Sequence, residues 1–308
     1  MHLMNMVDPD FNSLIELSKS AGDMTKIEPA MLRNFLDESS LSSRGAPVEI
    51  KEIKDYKIKL DGRTLNARMY DDNNAKSAIL YYHGGGFLFG NIETYDNYCR
   101  FLAKESGVKI ISIEYRLAPE HKFPDAFNDA YDSFHYIAKK KKDFGIEGRI
   151  GVAGDSAGAN LAAALCLKCR DGKTEMPAVQ VLFYPSLAPD NFSRSFIEYS
   201  DNYVLTGKMI RYFGNMYSKN MQDLINPYFS PLVADDFSNL PPAIMVTNEY
   251  DPLRDPEETY VKKLREAGVR AVGIRGIGMI HGSATDFEVS DGARNIVKMV
   301  ARIIPDYL

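Results

Sequence analysis

The sequence predicts an α/β fold, with helices packed on a mostly parallel sheet. Two observations carry this. From residue 78 onward, short apolar runs alternate with segments of helical periodicity, the pattern of successive β-α-β units. In addition, Gly154-Asp-Ser-Ala-Gly158 lies between an apolar run (150–153) and a small-residue helix (159–167), where a sharp strand-to-helix turn would push a serine side chain outward. At 308 residues the chain has room for one large α/β domain or two smaller ones, and either buries a substantial core.

The elements follow in order. Residues 11–19 and 29–38 read as amphipathic helices, and a polar stretch (39–45) ends that region. Residues 48–60 alternate apolar and polar side chains, Asp61-Gly62 supplies a turn, and 65–70 returns, which together spell a β-hairpin. Strands are expected at 78–82, 108–114, 149–153, 179–184, 243–247 and 271–275. Helices are expected at 94–105, 125–142, 157–170, 256–267 and 286–303. The interval 186–228 breaks the rhythm with many aromatics and methionines. An insertion at the carboxyl end of a strand would cover the crevice where α/β sheets bind ligands. The domain reading is an N-terminal helical cap over 1–46 and a catalytic domain over 47–308 that carries this cap insertion.

Composition narrows the function classes. Hydrophobic residues at 45% and charged residues at 26% are ordinary for a soluble protein, and the net charge of −5 gives no footprint for nucleic acid. The basic run 139–142 closes a helix, where cations favour exposed carbonyls. No apolar stretch reaches 18 residues and the first eleven residues lack a secretory pattern, so no membrane span is expected. Three cysteines fit a reducing cytoplasm. Cys166 and Cys169 spell C-x-x-C, but they fall well inside a helix and lack partners for zinc, so they read as packing residues.

A serine hydroxyl needs a base to take its proton and a third group to orient that base. Of the five histidines, His2 is terminal, His121 lies in a loop and His135 sits in mid-helix. His281 differs: it lies in the glycine-rich loop 276–282 after a predicted strand, level with Ser156. Asp251 and Asp255 both follow the strand 243–247; Asp255 is placed to cap the next helix ahead of Pro256, so Asp251 is favoured as the acid. The order Ser156, Asp251, His281 is that of the strand–turn–helix serine motif. His83-Gly84-Gly85-Gly86-Phe87 follows the strand 78–82 and exposes backbone N–H groups. Such a tetrapeptide arises by chance in roughly one chain in five hundred, so it is the specific signal. Gly84, Gly85, Gly86 and Ala157 are the candidate donors to an oxyanion, with the choice among the glycines open. No phosphate-cradle pattern or metal-ligand cluster is present.

These segments, with Tyr115-Arg-Leu-Ala-Pro-Glu120, Phe123-Pro124-Asp125-Ala126, Asp251-Pro-Leu-Arg-Asp255 and His281-Gly282, resemble the hormone-sensitive-lipase family of microbial carboxylesterases. The resemblance covers nearly everything from about residue 48 onward. It implies an α/β-hydrolase fold with an eight-stranded sheet and a helical cap over an acyl pocket. It also implies a Ser156–His281–Asp251 triad acting on short- to medium-chain esters without a cofactor. The expected partner is therefore a small-molecule ester, with neither nucleic acid nor membrane, and a homodimer is possible by analogy. Phe87, Phe213 and Tyr184 are candidates to touch substrate. The chain departs from the family at Pro256, where Glu is common, and after Gly282, where Ser283-Ala-Thr-Asp-Phe287 replaces an early aromatic. Two alternatives stand beside the esterase: an amidase or arylformamidase on the same machinery, and a non-catalytic ligand-binding relative. The second is opposed by the presence of His281.

Overall fold

Eight strands form one sheet in the computed structural model, which describes residues 6–42, 45–189 and 192–308. They are β1 (Glu52–Leu60), β2 (Arg63–Asp71), β3 (Ala78–Tyr82), β4 (Lys109–Glu114), β5 (Ile150–Asp155), β6 (Gln180–Phe183), β7 (Ala243–Tyr250) and β8 (Ala271–Ile280). Across the sheet the order is β1-β2-β4-β3-β5-β6-β7-β8. β2 is antiparallel to β1 and β4, and every pairing from β4 to β8 is parallel. His2 and residues 190–191 of the expected insertion lie outside the described residues.

The helices are α1 (Asn12–Ser20), α2 (Pro29–Ser42), α3 (Asp96–Ser106), α4 (Asp125–Lys139), α5 (Ser156–Gly172), α6 (Arg194–Tyr199), α7 (Gly207–Tyr217), α8 (Arg254–Glu266) and α9 (Asp291–Ile303). They cover both faces of the sheet, which is why its central strands are apolar throughout instead of alternating. Period-2 geometry still divides their side chains. Ala78, Leu80 and Tyr82 of β3 pack with α4, α5 and α8, whereas Ile79 and Tyr81 pack with α3 and α9. Among the described residues no helix is long and apolar enough to cross a membrane.

Four local expectations change. β8 runs on to Ile280, so residues 276–280, expected as a loop, are strand: Gly276 pairs with Asn248 and Ile280 with Tyr250 across a bulge. Glycines weaken a strand pattern in sequence, but pairing with β7 decides the conformation. α9 starts at Asp291, capped by the Ser290 hydroxyl on the Ala293 amide, and residues 281–289 form turns. α4 ends at Lys139, with a short 3-10 turn (Lys141–Phe144) closed by left-handed Gly145. α8 begins at Arg254, so Asp255 lies inside its first turn and does not cap it. Asp255 instead accepts the Ser195 amide at 2.8 Å and ties α6 to α8, while its own amide donates to the Ser195 hydroxyl at 3.1 Å.

The N-terminal helices and α7 lie by the carboxyl ends of the strands. Phe11 and Ile15 are buried against Tyr250, Met279 and Ile280, at the ends of β7 and β8. In α7, Phe213 and Tyr217 turn inward, joining the core cluster of α4 and α5.

Candidate active site

The turn from β5 to α5 places Ser156 in a left-handed conformation (φ +50°), which L-residues rarely adopt. Such strain persists only when neighbours over-determine it. A Cβ on Gly154 would strike the Gly158 backbone, and one on Gly158 would strike the carbonyls of Tyr82 and His83. Both positions therefore require glycine. Ser156 Oγ lies 2.9 Å from His281 Nε2, and His281 Nδ1 lies 2.7 Å from Asp251 Oδ2. Asp251 is fully buried, and its other oxygen accepts the Leu253 amide at 2.8 Å, which fixes the carboxylate plane. The structure brings Ser156, His281 and Asp251 into one hydrogen-bonded chain. It leaves Asp255 outside that chain, on the cap side of α8. His121 pairs with Asp125 and His135 with the Tyr131 carbonyl, and neither walls the chamber described below.

The glycine loop after β3 is held from beneath by Asp155. Gly84 N donates to Asp155 Oδ1 at 2.8 Å, and the hydroxyls of Tyr81 and Tyr95 donate to the same carboxylate at 2.8 and 2.9 Å. Burial pushes the Asp155 carboxyl up to about 6, while the two tyrosine hydroxyls and the Gly84 amide pull it down. This corrects one expectation. The Gly84 N–H faces Asp155 and Tyr95, so it anchors the loop and is unavailable to an oxyanion. Gly85, Gly86 and Ala157 wall the chamber, and no acceptor among the described residues takes the Gly85 and Gly86 amides. Ala157 N belongs to the first turn of α5, where N–H groups lack helical partners. His83 stacks on Tyr115 with ring centroids 4.3 Å apart, and burial lowers its pKa to about 4. It is a structural imidazole whose Nδ1 meets the Gly84 carbonyl at 2.7 Å.

Ser156 opens into a chamber of about 420 Å³. Phe87, Phe213 and Tyr184 all wall it, and Tyr184 lies 4.9 Å from the His281 ring between centroids. Leu14, Met24 and Leu36 of the N-terminal region contribute too. Sequence reasoning missed three supporting residues. Asp155 was visible only as a motif position. Arg33 and Asp37 stand one turn apart on α2, but the loop they grip is more than fifty positions away in sequence: Arg33 Nε donates to the Leu88 carbonyl (2.6 Å) and Asp37 accepts the Gly90 amide (2.9 Å).

Cys99, Cys166 and Cys169 are buried free thiols, and burial pushes the Cys169 thiol up to about 12, so the C-x-x-C pair is inert packing. Among the described residues no group of three or more His, Cys, Asp or Glu side chains is placed to hold a metal ion.

Comparison with known proteins agrees with this architecture. Residues 79–285 match a family described by the alpha/beta hydrolase fold. An arylesterase of Saccharolobus solfataricus is 35% identical over 97% of this chain and 98% of its own length. An ethyl acetate hydrolase of Pseudomonas putida is 34% identical over 85% of this chain and 87% of its own. A crystal structure of ESTFA, described as an iron-lacking apo form, is 99% identical with a TM-score of 0.97, covering 98% of this chain and 100% of that one. The chain belongs to the alpha/beta hydrolase family, among its hormone-sensitive-lipase-like carboxylesterases.

Proposed function

We propose that Ser156, His281 and Asp251 are the nucleophile, general base and orienting acid of this carboxylic ester hydrolase, acting on short- to medium-chain esters. The supporting observation is the hydrogen-bonded chain of 2.9 and 2.7 Å that ends in the apolar chamber beside unengaged amides. Ser156 Oγ attacks the ester carbonyl as its proton passes to His281 Nε2. Asp251 holds the Nδ1–H tautomer and balances the imidazolium. The amides of Gly85, Gly86 and Ala157 receive the oxyanion. The tetrahedral adduct collapses when His281 returns the proton to the leaving alcohol, and water then repeats both steps on the acyl-enzyme.

The ESTFA structure is described as lacking iron, which raises the question of a metal here. The described residues do not fit one: the cysteines are scattered or buried without further ligands, and His281 and Asp251 are bonded to each other. No step of the proposed reaction runs through iron.

The test is substitution and labelling. Ser156→Ala and His281→Ala should each lower kcat on the order of 10⁵- to 10⁶-fold in a folded protein, because the triad acts as a unit. A serine-directed organophosphate should label Ser156 alone. Retention of more than about a hundredth of wild-type turnover by either variant would overturn the assignment. Two finer readings belong here as well. The buried free thiols support a cytoplasmic location, which a secreted pool of enzyme would contradict. The edge position of β8 and its exposed Ile277 support a homodimer, which light scattering at monomer mass would refute.

A further inference from the structure

A side cavity of about 160 Å³ adjoins the chamber over Ser156. Phe89, Tyr95, Thr285 and Asp286 wall both spaces, so they mark the junction. Asp286 lies in the turn that follows His281.

Three carboxyls wall the side cavity, and they differ in what holds them. Asp37 accepts the Gly90 amide (2.9 Å) and the Asn91 side chain (3.2 Å), one on each oxygen. Glu288 accepts the Gly45 amide at 3.3 Å. The Asp286 carboxyl has no hydrogen-bond or ion-pair partner among the described residues, and burial alone pushes it up to about 7. No lysine or arginine walls the side cavity. An unpaired carboxylate in such surroundings is costly, and the cost is relieved by a cation. The rings of Phe89 and Tyr95 at the same junction suit a bulky, weakly hydrated alkylammonium better than a small hydrated metal ion.

We propose that Asp286 is a specificity-determining residue, and that the enzyme takes esters whose alcohol portion carries an alkylammonium group seated in the side cavity. The alcohol side is assigned because His281 protonates the leaving alcohol, and Asp286 belongs to the turn that leaves His281. This rests on the esterase reading given above.

The experiment compares butyrylcholine with its uncharged isostere, 3,3-dimethylbutyl butyrate, at pH 8. In the wild type, kcat/KM should favour the choline ester by about ten-fold, the scale of a desolvated cation–carboxylate and cation–π contact. Asp286→Asn should bring the ratio close to one. Should that variant not fold, tetramethylammonium chloride offers a test on the wild type. It should inhibit hydrolysis of p-nitrophenyl butyrate, whereas sodium chloride at equal ionic strength should not. A wild-type ratio at or below one, an unchanged ratio in Asp286→Asn, or equal inhibition by the two salts would overturn the subsite. Turnover of the neutral ester separates the two levels of the argument: if no neutral ester is cleaved, the esterase reading itself fails.

Discussion

Replacing Arg33 by methionine tests whether helix α2 holds the proposed oxyanion loop or merely walls the pocket. Arg33 Nε donates to the Leu88 carbonyl at 2.6 Å, Nη2 donates to the Ala118 carbonyl at 2.7 Å, and Nη2 also pairs with Glu120 at 2.7 Å. The Leu88 amide in turn donates to the Gly85 carbonyl at 2.9 Å, so force on Leu88 reaches the loop proposed to supply the oxyanion amides. Two charge-assisted bonds are worth about 1.5–3 kcal/mol each, whereas the Glu120 pair is largely exposed on the glutamate side and adds at most ~1. Methionine keeps the aliphatic stem and water reaches part of the freed carbonyls, so the expected loss of stability is about 2–4 kcal/mol. An oxyanion donor removed outright costs about 10²–10³ in kcat, and a loosened one should cost roughly ten-fold. Urea denaturation gives the first quantity, and kcat and KM on p-nitrophenyl butyrate give the second. Arg33→Lys should rescue only part, because one ammonium cannot span both carbonyls. If Arg33→Met loses the expected stability while kcat stays within two-fold, the helix does not position the loop.

Asp251→Asn should lower kcat by roughly 10⁴ through the wrong histidine tautomer, whereas Asp255→Asn should chiefly loosen α6 from α8. The reverse ranking in steady-state kinetics would exchange their roles. Along a p-nitrophenyl acyl series, kcat/KM should rise roughly fourfold per methylene from acetate, at about 0.8 kcal/mol each, then fall once the chain meets the chamber wall. A continuous rise toward palmitate would contradict a closed pocket. Asp286 has a folded pKa near 7, well above its unfolded value, so its stability term is fully present below about pH 4 and is lost as pH rises through 7. Asp286→Asn removes that loss and should unfold at higher urea than wild type at pH 8; a lower midpoint there would refute the account of an unpaired carboxyl.

Much of the architecture was legible because it rests on short-range signals. The alternation of apolar runs and helical periods marks the strands of the parallel sheet, and Asp61-Gly62 marks the hairpin between β1 and β2. The site was legible where backbone geometry dictates residue type: Gly154, Gly158 and the Gly85-Gly86 pair occupy positions where a side chain would collide. What sequence missed depends on long-range pairing. The glycine-rich segment before His281 reads as a loop, yet β7 holds it as strand and so sets the height of His281 above the sheet. Gly84 reads like its two neighbours, and only Asp155 beneath it shows that its amide is engaged.

Glu257 shows the same limit from the opposite side. In sequence it is an acidic residue in the first turn of a helix, where the dipole favours negative charge at the surface. In the structure it is fully buried, and neither carboxyl oxygen has a hydrogen-bond partner among the described residues. Burial first, and the charge of Asp251 second, push its pKa well above the usual carboxylate range. Burial thus favours the neutral acid, which places no second negative charge beside Asp251. Three carboxyls therefore lie near this site on different terms: Asp155 and Glu257 are buried, and Asp286 is partly buried. Asp155 is held by three donors and fixes a loop, whereas Glu257 has none and burial favours its neutral form. Asp286, facing the cavity without a partner, is the one whose missing counterpart a substrate can supply.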